Sequence, residues 1–199
     1  YFMHKIRGTY CAAITPLNQD YSINKELFLE HCNNLLSQGV DGVAIFGTTG
    51  EANSFSVNEK IEAINYLIDN NVNPNALIPG TGLCSIKDTV LLTKAVAKLN
   101  VKAVLVLPAF FYKNVSDEGV IQFYQRVVEE VGGNSIKYIL YHIPQVSGVD
   151  ITFEVIEKLT KLFPNNVVGM KDSSGNLENM LKLTKFFNNF SIFSGSDSL

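Results

Sequence analysis

The 199-residue sequence lacks the run of roughly 18 to 20 apolar residues that a membrane-spanning helix needs. Its first residues include Lys5 and Arg7 but no apolar stretch behind them, so the pattern of a secretory signal is also missing. Positive charge is not in excess, because 16 Lys and Arg stand against 19 Asp and Glu. The net charge of −3 gives no basic footprint for nucleic acid. These absences predict a cytoplasmic protein without a membrane or nucleic-acid partner.

Cysteine and histidine are scarce, with three residues of each. Cys11, Cys32 and Cys84 are odd in number and widely spaced, which is typical of neither a disulfide framework nor a zinc site. We expect three buried thiols in a reduced compartment. The histidines are scattered, without a carboxylate or thiol at metal-ligand spacing. The sequence therefore predicts no metal site.

The remaining composition is that of a globular domain, with 46% hydrophobic and 18% charged residues. The length suits one domain with a sizeable core. Short runs rich in Val, Ile and Tyr, bounded by Gly, Pro, Asn or Asp, predict seven strands. These are Thr9–Thr15, Gly42–Gly47, Ala76–Gly80, Ala103–Leu107, Lys137–Ile143, Val167–Lys171 and Ser191–Ser194.

Helical patterns separate the predicted strands, with apolar residues spaced at about 3.6. One helix follows Ser56 and Glu59, whose spacing is that of a capping box. The others are predicted over Lys25–Gln38, Ile86–Leu99, Asp117–Val131, Phe153–Leu162 and Leu177–Phe187.

The alternation of strand and helix predicts a parallel sheet with right-handed crossovers, closed as a barrel or open and doubly wound. The turn Thr15-Pro16-Leu17-Asn18 after the first strand has no glycine for a dinucleotide, which favours the (β/α)8 TIM barrel. A closed barrel needs eight strands and usually about 250 residues. We therefore expect residues 1–199 to form a single (β/α)-barrel domain that has seven strands and lacks its C-terminal part.

In such a barrel the active site lies where the strands end. The second predicted strand leads into Gly47-Thr48-Thr49-Gly50-Glu51. Its hydroxyls and exposed amides could hold a carboxylate, since hydrogen bonds to an anion are strong. Alternatively, the threonines only cap a turn and Glu51 is a structural carboxylate.

Lys171 ends a strand that should be buried on both faces, where lysine is rare. Loss of hydration would free its amine as a nucleophile; alternatively, its stem packs while the ammonium reaches solvent. On the preceding strand, the period of two turns Tyr141 inward with Ile139 and Ile143 and turns His142 outward. Tyr141 could relay protons or be a core aromatic residue.

Three loop residues are further candidates. Tyr112 follows the fourth strand in an aromatic cluster that could be a core patch, a subunit contact or a site lining. Ser173 follows the lysine and could touch substrate or cap the next helix. Gly195 closes the seventh strand and lets the backbone approach a ligand.

Three motifs, in this order and spacing, resemble the dihydrodipicolinate synthase / N-acetylneuraminate lyase family. They are Gly47-Thr48-Thr49-Gly50-Glu51, Tyr141-x-x-Pro144 and Gly169-Met170-Lys171-Asp172, and the resemblance runs from Gly8 to Leu199. It implies a (β/α)8 barrel of about 300 residues, commonly a homotetramer, which holds pyruvate as a Schiff base without a metal or organic cofactor.

The resemblance also implies roles for individual residues. Lys171 would form the imine with pyruvate, and Tyr141 would shuttle protons. Tyr112 would reach into the site of a neighbouring subunit, and Thr48 would take part in the proton relay. The residues expected to bind substrate are Thr48, Thr49, Gly50, Ser173 and Gly195.

Departures from the family pattern bear on the substrate. Val146 stands where synthases of this family carry an arginine for the carboxylate of their aldehyde. The Pro-x-x-Ser-Gly spelling around it is similar to sialic acid lyases, but Ser198 replaces their acidic residue after Asp197. The segment Ser194–Asp197 is more similar to aldolases of 2-keto-3-deoxy sugar acids. We expect a 2-keto-3-deoxy or related hydroxylated keto-acid. The alternatives are dihydrodipicolinate synthesis, N-acetylneuraminate cleavage and a non-catalytic ligand-binding barrel.

Overall fold

The structure is a computed structural model that describes residues 5–133 and 136–196. It is an α/β fold in which parallel strands alternate with helices. The strands are β1 (Tyr10–Ala12), β2 (Gly42–Ala44), β3 (Ala103–Val106), β4 (Lys137–His142), β5 (Val167–Asp172) and β6 (Ser191–Ser194). The helices are α1 (Lys25–Ser37), α2 (Val57–Asp69), α3 (Ile86–Lys98), α4 (Asp117–Val131), α5 (Pro144–Ser147), α6 (Phe153–Leu162) and α7 (Leu177–Phe186).

The long helices lie where the sequence predicts them. The bounds of α4 and α6 are those predicted, and the predicted capping box is present at the start of α2. There the Ser56 hydroxyl accepts from the Glu59 amide at 3.2 Å, and the Glu59 carboxylate accepts from the Ser56 amide at 2.9 Å. In the part of the chain that the structure describes, no helix has the length and apolar character to cross a membrane.

The strands form two groups in sequential order. β1 pairs with β2, and β3 to β6 form a four-stranded sheet, with every pair parallel. Because β4 and β5 are neighbours, the register places Tyr141 beside Lys171 and His142 beside Asp172. The predicted sequential, parallel arrangement of these six strands is thus confirmed.

The predicted third strand, Ala76–Gly80, is wrong as a continuous strand. Ala76 belongs to a 3-10 turn over Pro74–Ala76, and only isolated parallel bridges follow, from Leu77 to Val43 and from Gly80 to Leu105. The physical reason is Pro79, which has no amide hydrogen and so interrupts a ladder. Its carbonyl nevertheless accepts from Leu105 at 2.9 Å, so the segment connects the two groups of strands.

The first two strands are shorter than predicted over Thr9–Thr15 and Gly42–Gly47. Phe46 has a φ of 53°, in the left-handed region, so the backbone leaves the extended conformation just before Gly47. In β5 the change is opposite, because this strand continues one residue past Lys171 to Asp172.

The strands have a helix-covered face and an inner face. The larger cluster of buried side chains packs the helices onto the sheet. The smaller cluster lies on the inner face and contains Ile6, Ile78, Ala103, Leu105, Ile139, Tyr141 and Ile143. The ring of Tyr10 on β1 packs edge-on against Phe193 on β6, with centroids 5.8 Å apart. Side chains of β1 and of β3 to β6 therefore contribute to the inner face.

The prediction of three buried thiols is wrong in two positions. Cys32 is buried in α1, and burial raises the pKa of its thiol to about 12. Cys11 is half-buried, and Cys84 is exposed because it lies in the loop before α3. All three are free.

Candidate active site

Lys171, Tyr141 and Thr48 meet at the carboxyl ends of the strands. The Lys171 ammonium lies over the Tyr141 ring, 4.8 Å from its centroid. The Tyr141 hydroxyl lies 3.1 Å from the Thr48 hydroxyl, and either group can donate. An amine is thus held beside a phenol that already has a second hydroxyl as its partner.

The alternation of β4 explains why Tyr141 faces this interior. Ile139, Tyr141 and Ile143 all belong to the inner cluster, as the period of two predicts. His142 points to the other side, where its Nδ1 accepts from the Ile151 amide at 3.2 Å. Burial lowers the pKa of His142, against the opposing influence of the carboxylates of Asp172 and Asp150. His142 therefore lies on the outer side of the strand, as the period of two predicts, and has a structural hydrogen bond there.

The turn that carries Thr48 is held by hydrogen bonds that the sequence did not reveal. Glu51 adopts a left-handed conformation with a φ of 51°, and its amide donates to the Thr48 carbonyl at 3.1 Å. The Thr15 hydroxyl donates to the Gly50 carbonyl at 2.8 Å. A Cβ on Gly50 would lie 2.9 Å from the Ala13 carbonyl, so glycine is needed for this close approach. In the sequence, the position of Thr15 after the first strand was the available indication of its contact with this turn.

Gly195 and Ser173 lie on the other side of the lysine. A Cβ on Gly195 would collide with the Ser173 hydroxyl and come within 2.9 Å of Lys171 Cε. Only glycine therefore leaves room at this point. Ser173 is 8% exposed, and its hydroxyl has no hydrogen-bond partner among the residues described. A buried hydroxyl without a partner is costly, which makes this group available to a bound molecule.

The loop after Lys171 is fastened by Asp172 and Gln145. One oxygen of the buried Asp172 carboxylate accepts from the amide and hydroxyl of Ser174, at 2.8 and 2.6 Å. Its other oxygen accepts from the Asn179 side chain at 2.8 Å. The Gln145 amide donates to the Ser173 carbonyl at 2.7 Å. The role of Gln145 was not predicted, and the sequence around it gave no pattern for it.

Two cavities lie at the site, and Leu105 lines both. The first, of about 220 Å³, is bordered by Thr48, Glu51, Tyr141, Val146 and Ser147, among others. The second, of about 360 Å³, contains Lys171. Among the described lining residues, Glu51 is the charged side chain of the first cavity and Lys171 that of the second.

Thr48, Tyr141 and Lys171 are the predicted site residues that line these cavities, whereas Thr49, Gly50, Tyr112, Ser173 and Gly195 do not. Tyr112 is 78% exposed and packs edge-on against Phe111, with ring centroids 5.3 Å apart. Thr49 is exposed on the turn beside Thr48. Asp197 and Ser198 lie outside the described residues. Within residues 5–133 and 136–196, no group of three or more His, Cys, Asp or Glu side chains could hold a metal ion.

Residues 5–199 match the model of the dihydrodipicolinate synthetase family. The chain belongs to this family. It is 33% identical over 198 residues to a protein of Chloroflexus aurantiacus described as an uncharacterized DapA-like lyase. The aligned region covers 99% of this chain and 66% of the relative.

Two solved structures are similar to this chain in fold. Dihydrodipicolinate synthase from Agrobacterium tumefaciens superposes with a TM-score of 0.89 at 30% identity, over 92% of this chain and 64% of that one. A variant of Sulfolobus solfataricus 2-keto-3-deoxygluconate aldolase superposes with a TM-score of 0.84 at 26% identity, over 94% and 60%. The chain thus spans between 60 and 66% of the length of these three family members.

Proposed function

We propose that this chain carries the catalytic residues of a pyruvate-dependent, Schiff-base-forming lyase. The observation that carries the proposal is the Lys171 ammonium lying over Tyr141, whose hydroxyl is partnered by Thr48. The unprotonated Lys171 amine attacks C2 of pyruvate, and water leaves as the imine forms. The protonated imine withdraws electrons, so the methyl group of pyruvate loses a proton and the imine becomes an enamine. The enamine attacks an aldehyde, and water then hydrolyses the resulting imine to release the keto-acid and regenerate the Lys171 amine. The reverse path cleaves a keto-acid.

The neighbouring residues have distinct roles in this scheme. Tyr141 and Thr48 pass a proton between the reacting oxygen and solvent, since two hydroxyls 3.1 Å apart form a relay. The hydroxyls of Thr48 and Thr49 and the backbone at Gly50 orient the pyruvate carboxylate. Gly195 leaves room beside Lys171, and the Ser173 hydroxyl donates to the bound molecule.

The architecture we propose is a single (β/α)8 barrel domain, of which residues 1–199 supply seven strand positions and not the C-terminal part. The sequential parallel order, the shared interior and the contact between Tyr10 and Phe193 support it. We further propose a homo-oligomer, a tetramer or dimer, in which the exposed Tyr112 reaches the site of a neighbouring subunit.

The substrate we propose is a 2-keto-3-deoxy or related hydroxylated keto-acid. Val146 is 59% exposed and borders the first cavity, whose described lining offers Glu51 but neither arginine nor lysine. A carboxylate on the aldehyde would lack a charge-assisted partner, which is worth about 1.5–3 kcal/mol. The second candidate is condensation of pyruvate with aspartate semialdehyde, favoured by the higher identity to the synthase structure than to the aldolase.

Borohydride reduction in the presence of pyruvate, followed by peptide mass mapping, tests the catalytic proposal. We expect one adduct, on Lys171, which Lys171→Ala abolishes while the circular dichroism spectrum is retained. Lys94→Ala, at an exposed lysine of α3, is the control and should keep the adduct. An adduct on another lysine, or none on the folded protein, would refute the proposal.

A further inference from the structure

We propose that Lys113 is a positioning residue that joins the loop after β3 to helix α5 at the side of the first cavity where the aldehyde would bind. Its kinetic consequence rests on the function proposed above, whereas its structural consequence does not. Lys113 lies in the loop between β3 and α4, near the exposed Phe111 and Tyr112.

The Lys113 ammonium donates to two backbone carbonyls, one in its own loop and one in helix α5. One is that of Phe110, in the loop after β3. The other is that of Ser147, the last residue of α5, at 2.6 Å. Both Phe110 and Ser147 border the first cavity, as does Val146 beside them. One side chain therefore joins two walls of the same cavity.

A donor is needed at this point because the two groups that approach each other are both acceptors. Carbonyl oxygens cannot bond to one another, and an ammonium supplies three hydrogens without being an acceptor itself. Hydrogen bonds from a charged donor are also stronger than neutral ones. Without the ammonium, the hydrogen bonds to both carbonyls would be lost, and the loop and α5 could separate.

The backbone beside Lys113 is shaped to admit its side chain. Gly148 ends α5 with a φ of 63°, and its amide donates to the Pro144 carbonyl at 2.8 Å. A Cβ at this glycine would lie 2.7 to 3.0 Å from Cδ, Cε and Nζ of Lys113. Glycine thus serves both the left-handed cap and the path of the lysine stem.

The experiment compares Lys113→Met, which keeps an unbranched apolar stem but removes the donors, with Lys113→Arg, which restores them. In the Met variant we expect faster amide hydrogen exchange in residues 109–116 and also in 143–149. The Arg variant should return both segments to the exchange of the unchanged protein. Lys94→Met, at an exposed lysine on α3, should leave both segments unchanged.

The kinetic measurement separates an effect on binding of the aldehyde from an effect on binding of pyruvate. For Lys113→Met we expect KM for the aldehyde to rise about five- to tenfold, with borohydride trapping of pyruvate retained and rescue by arginine. Faster exchange in only one segment, or in neither, would overturn the inference. So would an unchanged KM for the aldehyde in a protein that traps pyruvate. If the unchanged protein traps no pyruvate, the proposed function fails, and hydrogen exchange alone decides the role of Lys113.

Discussion

The hydroxyl groups of Thr48 and Tyr141 lie 3.1 Å apart, although 93 positions separate the two residues in the chain. Thr48 follows β2 and Tyr141 belongs to β4, so this contact joins the two groups of strands at the site. It gives the phenol a fixed partner, which a proton relay requires and a core tyrosine does not.

Removing either hydroxyl should therefore slow the reaction. We expect Tyr141→Phe and Thr48→Val each to lower kcat by about 100-fold. The double variant should lose little more than the worse single variant, because the two groups act as one unit. Steady-state kinetics of aldol cleavage measures the cycle. Tyr138→Phe is a matched control, because Tyr138 is buried on the same strand and its hydroxyl has no partner among the described residues. Fully additive losses would contradict the relay.

Acceptor choice should respond to charge at position 146. Val146→Arg places a guanidinium at the border of the first cavity, and Val146 is exposed enough to accept the larger side chain. We expect kcat/KM for aspartate semialdehyde to rise about tenfold or more relative to a hydroxylated, uncharged aldehyde. Val146→Gln adds a similar length without charge and should not produce this shift. If the unchanged protein already prefers aspartate semialdehyde, the synthase is the correct function.

Lys60 provides a prediction about stability. Its side chain in α2 is fully buried, and its ammonium has no hydrogen-bond partner among the described residues. Burial lowers the pKa of Lys60 from 10.5 to about 8, against the opposing influence of Glu59. The unfolded chain therefore binds more protons than the folded one between pH 8 and 10.5. Over that window the free energy of unfolding should rise with pH, from a constant penalty below pH 8.

Replacing Lys60 by methionine removes this penalty. We expect Lys60→Met to raise the free energy of unfolding by about 1–3 kcal/mol at pH 7, with the gain shrinking as pH rises from 8 to 10.5. Urea unfolding at several pH values measures it. Lys94→Met, on the exposed side of α3, should show no such dependence. A gain that is equal at all pH values would mean that the charge of Lys60 is not its cause.

Periodicity predicted most of the helices and the inward direction of Tyr141, because burial on one face of an element determines the local spacing of apolar residues. The third strand could not be predicted correctly in the same way, since Leu77 and Ile78 have the apolar character of a strand while Pro79 lacks the donor that a ladder needs. Lys171 was recognisable because a lysine contrasts with a buried strand. Lys113 and Gln145 were not, since the backbone carbonyls of Ser147 and Ser173 that they contact lie in other segments of the chain and leave no mark on side-chain spacing.

The segment around Pro79 also has a consequence for thermal unfolding. Backbone bonds from Ile78 to Val43 and from Thr81 to Leu105 connect the pair β1–β2 to the sheet β3–β6 through isolated bridges instead of a continuous ladder. This is a seam, and Thr48 lies on one side of it while Tyr141 and Lys171 lie on the other. Warming that opens the seam would separate the hydroxyl pair before either group of strands melts. The reaction would then fail at a lower temperature than the fold, with helices α3 to α7 still in place.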